Sequence, residues 1–365
     1  MKRVLDGNAI VYCEGAFNTP NGKTAHGLVR FTERYQVLAV IDSRYAGMDA
    51  GEVLDGKTYN IPIFNSIEVA YWTLTNQQKS IDYFVIGLAP DGGKLPPAAR
   101  QSILDAINFG LNISCGLHDF LSEDQQIQSF ADRKGVSITD IRKPPHRKDL
   151  HFFSGDIEKV KSLKIAVLGT DSAVGKRTTA WMLVHALRKQ GIHTELVGTG
   201  QTAWMQGAKY SLVMDSLVND FVAGEIEHAV VSAWQDGAEI IIIEGQGSLM
   251  NPAYPGGFEI LAAGRPDIVI MQHAPARKEY DGFPGYPLHP LSKQIEAVEF
   301  LSGKPVVAIT INHEKIQKEK VKAVCEEIEE RRKLPVFDVL LEGADGLAAV
   351  VKKYWKRDTM LSTKE

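Results

Sequence analysis

Short, continuously apolar runs alternate along this chain with stretches of helical spacing, and glycine or a polar cluster closes each run. Runs apolar on both sides of the pleat suit strands of a parallel sheet, because the crossover helices cover both faces. In the first half strands are expected at residues 9–13, 37–41, 83–87, 111–114 and 136–141, with helical spacing over 24–32 and 97–109. In the second half they fall at 165–168, 194–198, 239–243, 267–271 and 306–311. Helical spacing runs through Trp181, Val184 and Leu187, and a further helix carries Glu225, Ala229 and Val230. Between Arg142 and Asp149 the run RKPPHRKD joins two prolines to five basic residues, which is linker composition. The expected domains are therefore 1–148 and 149–365.

The sharpest change of pattern lies in KIAVLGTDSAVGKRTTA, residues 164–180. A buried strand breaks into a glycine-bounded loop and then into a helix. The loop N–H groups and the helix N-terminus then converge on one point, where the helix dipole adds roughly half a positive charge. This is the layout of a phosphate-binding loop, with Gly169, Thr170, Asp171, Ala173, Gly175, Lys176, Arg177, Thr178 and Thr179 as its cofactor contacts. Five residues separate Gly169 from Gly175, one more than GxxxxGK[ST] allows, and Arg177 holds the hydroxyl position with Thr178 next. The wording GTDSAVGK resembles the GTDTxxGKT loop of dethiobiotin synthetase and its relatives. In that subclass a threonine after the lysine helps hold Mg²⁺, so Arg177 is a departure. The fold class expected is α/β, a Rossmann-like N-terminal domain followed by a P-loop NTPase-type parallel-sheet domain.

Other candidates sit where the runs end. The apolar run 239–243 delivers Glu244, followed by GQGSL. An unpaired buried carboxylate costs several kcal/mol, so Glu244 reads as a metal ligand with Thr178 or as a catalytic group. Asp215 and Asp220 are expected just before the next helix, Asp215 as a base or water-orienting acid and Asp220 equally as a helix cap. The loop after 267–271 carries His273 as a candidate base and Arg277 and Lys278 as candidate carboxylate contacts. Asn312 closes the last run, where an amide can read a nucleotide base. In the first half, Gly22, Lys23 and Thr24 stand at a strand-to-helix turn suited to phosphates, and Asp42 is either a ribose-binding acid or a loop cap. The loop from Gly87 to Arg100 is expected to line the same crevice, while Cys115 and His118 read better as packed residues than as a catalytic pair.

Composition narrows the class without adding chemistry. With 365 residues, 44% hydrophobic and 24% charged, the chain has ordinary globular composition. A net charge of −4 gives no footprint for nucleic acid, and the short basic cluster of Lys352, Lys353, Lys356 and Arg357 reads as a solvated helix face. Three cysteines without metal spacing fit a reducing cytoplasm, and no apolar run approaches the ~18 residues of a membrane span. The partner expected is a small molecule with carboxylates; a homo-oligomer stays open.

Taken together, NGKTAHG, the DSRYAG stretch from Asp42, GTDSAVGKRTTA, DSLVNDFVAG, EGQGSL and HAPARK resemble the D-glutamate N-acetyltransferase-like family over about residues 8 to 340. The resemblance implies the two-domain architecture and acetyl transfer from acetyl-CoA to the amine of D-glutamate. Met250 and Asn251 depart from the family's more usual polar–His pair. The P-loop then holds either CoA or ATP, with Mg²⁺ if ATP. Three classes stay open: an N-acetyltransferase acting on an acidic amino acid, an Mg-ATP-dependent ligase on a small carboxylate, and a non-catalytic nucleotide sensor.

Overall fold

The structure, a computed structural model, describes residues 5–362, with the side chains of Asp91 and of 356–362 excepted. Lys356 and Arg357 of the basic cluster therefore lie outside the described side chains. The chain divides into two compact units, one formed by 1–145 with 201–208 and the other by 146–200 with 209–365.

In the first unit six strands, β1 (Gly7–Tyr12), β2 (Tyr35–Ile41), β3 (Ile63–Phe64), β4 (Tyr83–Ile86), β5 (Asn112–Cys115) and β6 (Ile138–Asp140), form one parallel sheet. Its order, β3-β2-β1-β4-β5-β6, is that of the dinucleotide-binding fold. The expected first domain is thus Rossmann-like. The order reverses between β1 and β4, so the loops after these two strands flank the crevice where such sheets bind ligands.

The segment 201–208, which the sequence reading placed in the C-terminal domain, clusters with the first unit. Its helix Gln201–Met205 packs on the helix Lys23–Arg30. Gln206 Nε2 donates to the carbonyls of Gly27 and Phe31 at 2.9 and 2.8 Å, and the Arg34 guanidinium lies 3.8 Å from the Trp204 ring centre. Arg142 is not solvated linker either. It is buried, donating to Gly116 O at 2.8 Å and Gln201 Oε1 at 3.0 Å.

In the second unit β7 (Leu163–Gly169), β8 (Thr194–Gly198), β9 (Tyr210–Ser211), β10 (Ile240–Glu244), β11 (Ile268–His273), β12 (Val306–Ile311) and β13 (Val336–Phe337) form a parallel sheet ordered β13-β12-β11-β7-β10-β8-β9. Every residue of β7 and β10 is buried, because helices cover both faces. The four isoleucines 240–243 are fully buried, each contributing about 2–3 kcal/mol of burial. β7 sits between β10 and β11, so the loop after β7 faces the ends of both.

Candidate functional site

β7 ends at Gly169, and the loop that follows turns back through Ala173 at φ 53° and Gly175 at φ 107° before the helix Lys176–Lys189 begins. At Gly175 a side chain would be strained by that backbone, and only glycine adopts it freely. Lys176 is 7% exposed, and its Nζ donates to the carbonyls of Asp171 and Gly247, each at 2.7 Å. The ammonium that the sequence assigns to phosphates thus sits under the loop, between its own strand's turn and the loop after β10.

Glu244, the last residue of β10, is 4% exposed. Its Oε2 accepts from Thr199 N at 3.0 Å, its carbonyl accepts from Thr199 Oγ1 at 2.9 Å, and Gln246 Nε2 donates to that same hydroxyl at 2.9 Å. Burial pushes the carboxyl up; the charges of Arg177 and Lys176 and the N–H groups of Thr199 and Gly200 pull it back only in part. The next residue must be small. A Cβ on Gly245 would lie 2.4 Å from Val167 O, so the chain leaving β10 presses directly on β7.

Asp171 is fully buried and is the most heavily bonded carboxylate of the site. Its Oδ1 accepts from Asn251 Nδ2 and Ser172 N, both at 2.7 Å, and its Oδ2 from Arg277 Nη1 and Asp281 N, both at 2.8 Å. Arg277 also forks onto Glu314, Nε to Oε1 at 2.8 Å and Nη2 to Oε2 at 2.9 Å, and Nη1 reaches Ser172 O at 2.7 Å. Burial lowers the Arg277 pKa, but the bonds and charges of Glu314 and Asp171 outweigh it and hold the pKa above its ordinary value. Arg277 is therefore occupied by two of the protein's own carboxylates. Lys278 is the exposed cation of this loop.

Several of the expected contact residues bond within the protein. Thr179 Oγ1 and Thr310 Oγ1 both donate to Gln272 Oε1 at 2.5 Å, tying the loop helix to β11 and β12. Thr170 N donates to Gln272 O at 2.9 Å, and its Oγ1 lies 3.0 Å from His273 Nδ1. Burial and then the charges of Arg277 and Lys278 push His273 down to about 4, so its ring is neutral at pH 7. Asn312 Oδ1 accepts from Glu314 N at 3.0 Å, closing its own loop. Asp215 is exposed in the turn Met214–Ser216; Met214 N donates to Thr199 O at 3.1 Å, which places this turn one hydrogen bond from the residue that holds Glu244. Asp220 lies inside the first turn of the helix Asn219–Gln235, not ahead of it.

In the first unit Thr24 is buried with its hydroxyl 2.8 Å from that of Thr202, and Ala25 N, in the first turn, donates to Gly87 O at 3.0 Å. Gly22 is buried and Lys23 exposed. This helix end closes on its own neighbours, with Thr24 packed against Thr202. Asp42 is likewise internal: Arg44 holds it through Nε at 3.0 Å and Nη2 at 2.7 Å, and Phe17 N donates at 2.9 Å. Cys115 is buried, with its thiol pushed up to about 12.

Among the described residues no three His, Cys, Asp or Glu side chains gather as a metal cluster. Of the two oxygens expected to hold Mg²⁺, that of Glu244 is buried and that of Thr178 half-buried, and a bound ion would complete its shell with phosphate oxygens and water. Arg177 and Lys176 already act on the same carboxylate, so the donor set suits an anion cradle better than a divalent cation.

Residues 151–348 match the family model described as a domain of unknown function (DUF1611_C), P-loop domain, and residues 43–144 the model described as DUF1611_N, Rossmann-like domain. A protein from Tritonibacter scottomollicae named D-glutamate N-acetyltransferase is 29% identical over 276 residues, covering 73% of this chain and 81% of that protein. One of the same name from Pseudoalteromonas sp is 30% identical, covering 73% and 80%. The crystal structure of a DUF1611 family protein from Anabaena variabilis matches with a TM-score of 0.86 at 27% identity, over 95% of this chain and 99% of that one.

Proposed function

Because the chain belongs to the two-domain DUF1611 family, we propose that it is an enzyme moving an acetyl group from acetyl-CoA to the amine of an acidic amino acid such as D-glutamate. The observation that carries this reading is the 30% identity, over 73% of the chain, to a protein named for that activity. In this reading the loop 169–179 holds the phosphates of CoA. The amine nitrogen attacks the thioester carbonyl, a C–N bond forms, and the C–S bond breaks with its electron pair on sulfur. The amine proton passes to a base, and sulfur leaves as the free thiol.

Three groups compete for the role of base. His273, held near 4, pulls weakly on a proton, and Asp215 lies out in solvent. Glu244 is the acid whose proton affinity burial raises above that of an ordinary carboxylate, within the field of Arg177 and Lys176. It is assigned the proton; Lys278 is assigned the acceptor's carboxylate.

Thermal stabilisation by CoA against Mg-ATP tests the cofactor. A ligand at a hundred times its Kd stabilises by about 2.7 kcal/mol, so CoA is expected to raise the melting temperature without added metal. Stabilisation by Mg-ATP alone would replace this reading with the ligase. Lys176→Ala is expected to weaken CoA binding about tenfold or more by calorimetry, since a charge-assisted bond contributes roughly 1.5–3 kcal/mol. Unchanged affinity in the folded variant would remove the loop from the site.

A further inference from the structure

We infer that Arg277 and Asn251 are positioning residues: through the buried Asp171 carboxylate they fix the loop from which Lys176 serves a phosphate, and neither grips the substrate. The inference rests on the phosphate-loop part of the proposed function and not on the identity of the transferred group.

Asp171 is bound at both of its ends. Its side chain is held by Asn251 from the loop after β10 and by Arg277 and the Asp281 N–H from the loop after β11. Its main-chain carbonyl accepts the Lys176 ammonium at 2.7 Å. The loop after β10 meets the same ammonium through Gly247 O, only four residues before Asn251. Arg277 extends the chain to the loop after β12 by its fork on Glu314. Three strand-end loops thus meet at one carboxylate that is wholly out of water and accepts four hydrogen bonds, and Arg277 links a fourth to it. A phosphate must draw Lys176 away from two carbonyls, and where those carbonyls sit is set by Asn251 and Arg277. Asn251 also accepts from Ala253 N at 2.9 Å and Tyr254 N at 2.8 Å, so its own loop is folded around the same amide.

The two roles open to Arg277 predict opposite kinetics. A positioning residue changes affinity for the phosphate compound and leaves acceptor KM alone, whereas a substrate grip does the reverse. The experiment titrates the full chain and its Arg277→Met, Arg277→Lys and Asn251→Ala variants with CoA and, separately, with ADP by calorimetry, and measures KM for D-glutamate. Arg277→Met and Asn251→Ala are expected to weaken whichever of the two compounds the wild type binds by about tenfold, with acceptor KM within about twofold. Arg277→Lys is expected to restore most of the affinity, since an ammonium still donates to Asp171. Should Arg277→Met fail to fold, Asn251→Ala, which deletes one neutral amide, carries the test. Wild-type affinity in the variants, or a rise confined to acceptor KM, overturns the inference while the phosphate-loop reading stands. Binding of neither compound by the wild type overturns both.

Discussion

Glu244→Gln is expected to lower kcat for acetyl transfer by about 10²- to 10⁴-fold, the range a positioned general base contributes. Glutamine keeps an oxygen for Thr199 N, so the loop holding that N–H at 3.0 Å stays in place while the proton acceptor is lost. The base works only when ionised. In the wild type kcat/KM should therefore rise with pH through a value above the ordinary carboxylate range, because burial raises this carboxyl, and that limb should vanish in the variant. The sign for stability is opposite to that for activity. A carboxyl whose folded pKa is raised favours the fold below its unfolded pKa and loses that contribution as pH rises through the folded value. Above that value Glu244→Gln should accordingly melt at a higher temperature than wild type, a gain in stability bought with lost turnover. A pH–rate profile and melting curves across the same range check both; a Gln variant with full activity would take the proton away from Glu244.

Asp171→Ala is expected to lower the unfolding free energy by about 3–5 kcal/mol, the cost of breaking a buried ion pair by removing one partner. The variant strands the Arg277 contact, the Asn251 amide and the N–H groups of Ser172 and Asp281 at a fully buried site. Glu314 still holds Arg277 through its fork, which keeps the loss from being larger. Urea unfolding monitored at the far-ultraviolet helix signal measures it. A loss under about 1 kcal/mol would mean that water reaches the carboxylate and the network is loose.

Most strands were legible because burial on both faces writes itself as an apolar run, whereas the two-residue edge strands β3, β9 and β13 are too short to leave one. β12 falls where the run 306–311 predicts it, and β10 differs only in where it starts and in taking in Glu244. The phosphate loop was legible for a related reason: strand, glycine turn and helix are contiguous, so local sequence specifies them. What was not legible is partnership across distance. Arg277 and Asp171 are 106 residues apart, and no local pattern distinguishes an arginine that grips a substrate from one that grips the protein. The same holds for Thr24, which meets Thr202 at a separation of 178 residues, and for Gln272, which looks like any strand residue until the hydroxyls of Thr179 and Thr310 are seen to share its oxygen. The segment 201–208 shows the limit most plainly. Its glycine-led GTGQTAW reads as one more strand-end loop, and only tertiary packing assigns it to the first unit.

Acetyl transfer to an acidic amino acid is tested most directly by incubating the full chain with acetyl-CoA and D-glutamate, without ATP or added metal, and following thiol release. One free thiol for each N-acetylated product is the predicted result, because the departing sulfur carries away the electron pair of the broken C–S bond. No thiol with any amino acid acceptor, together with phosphate release from ATP in the presence of a carboxylic substrate, would contradict it and make the chain a ligase.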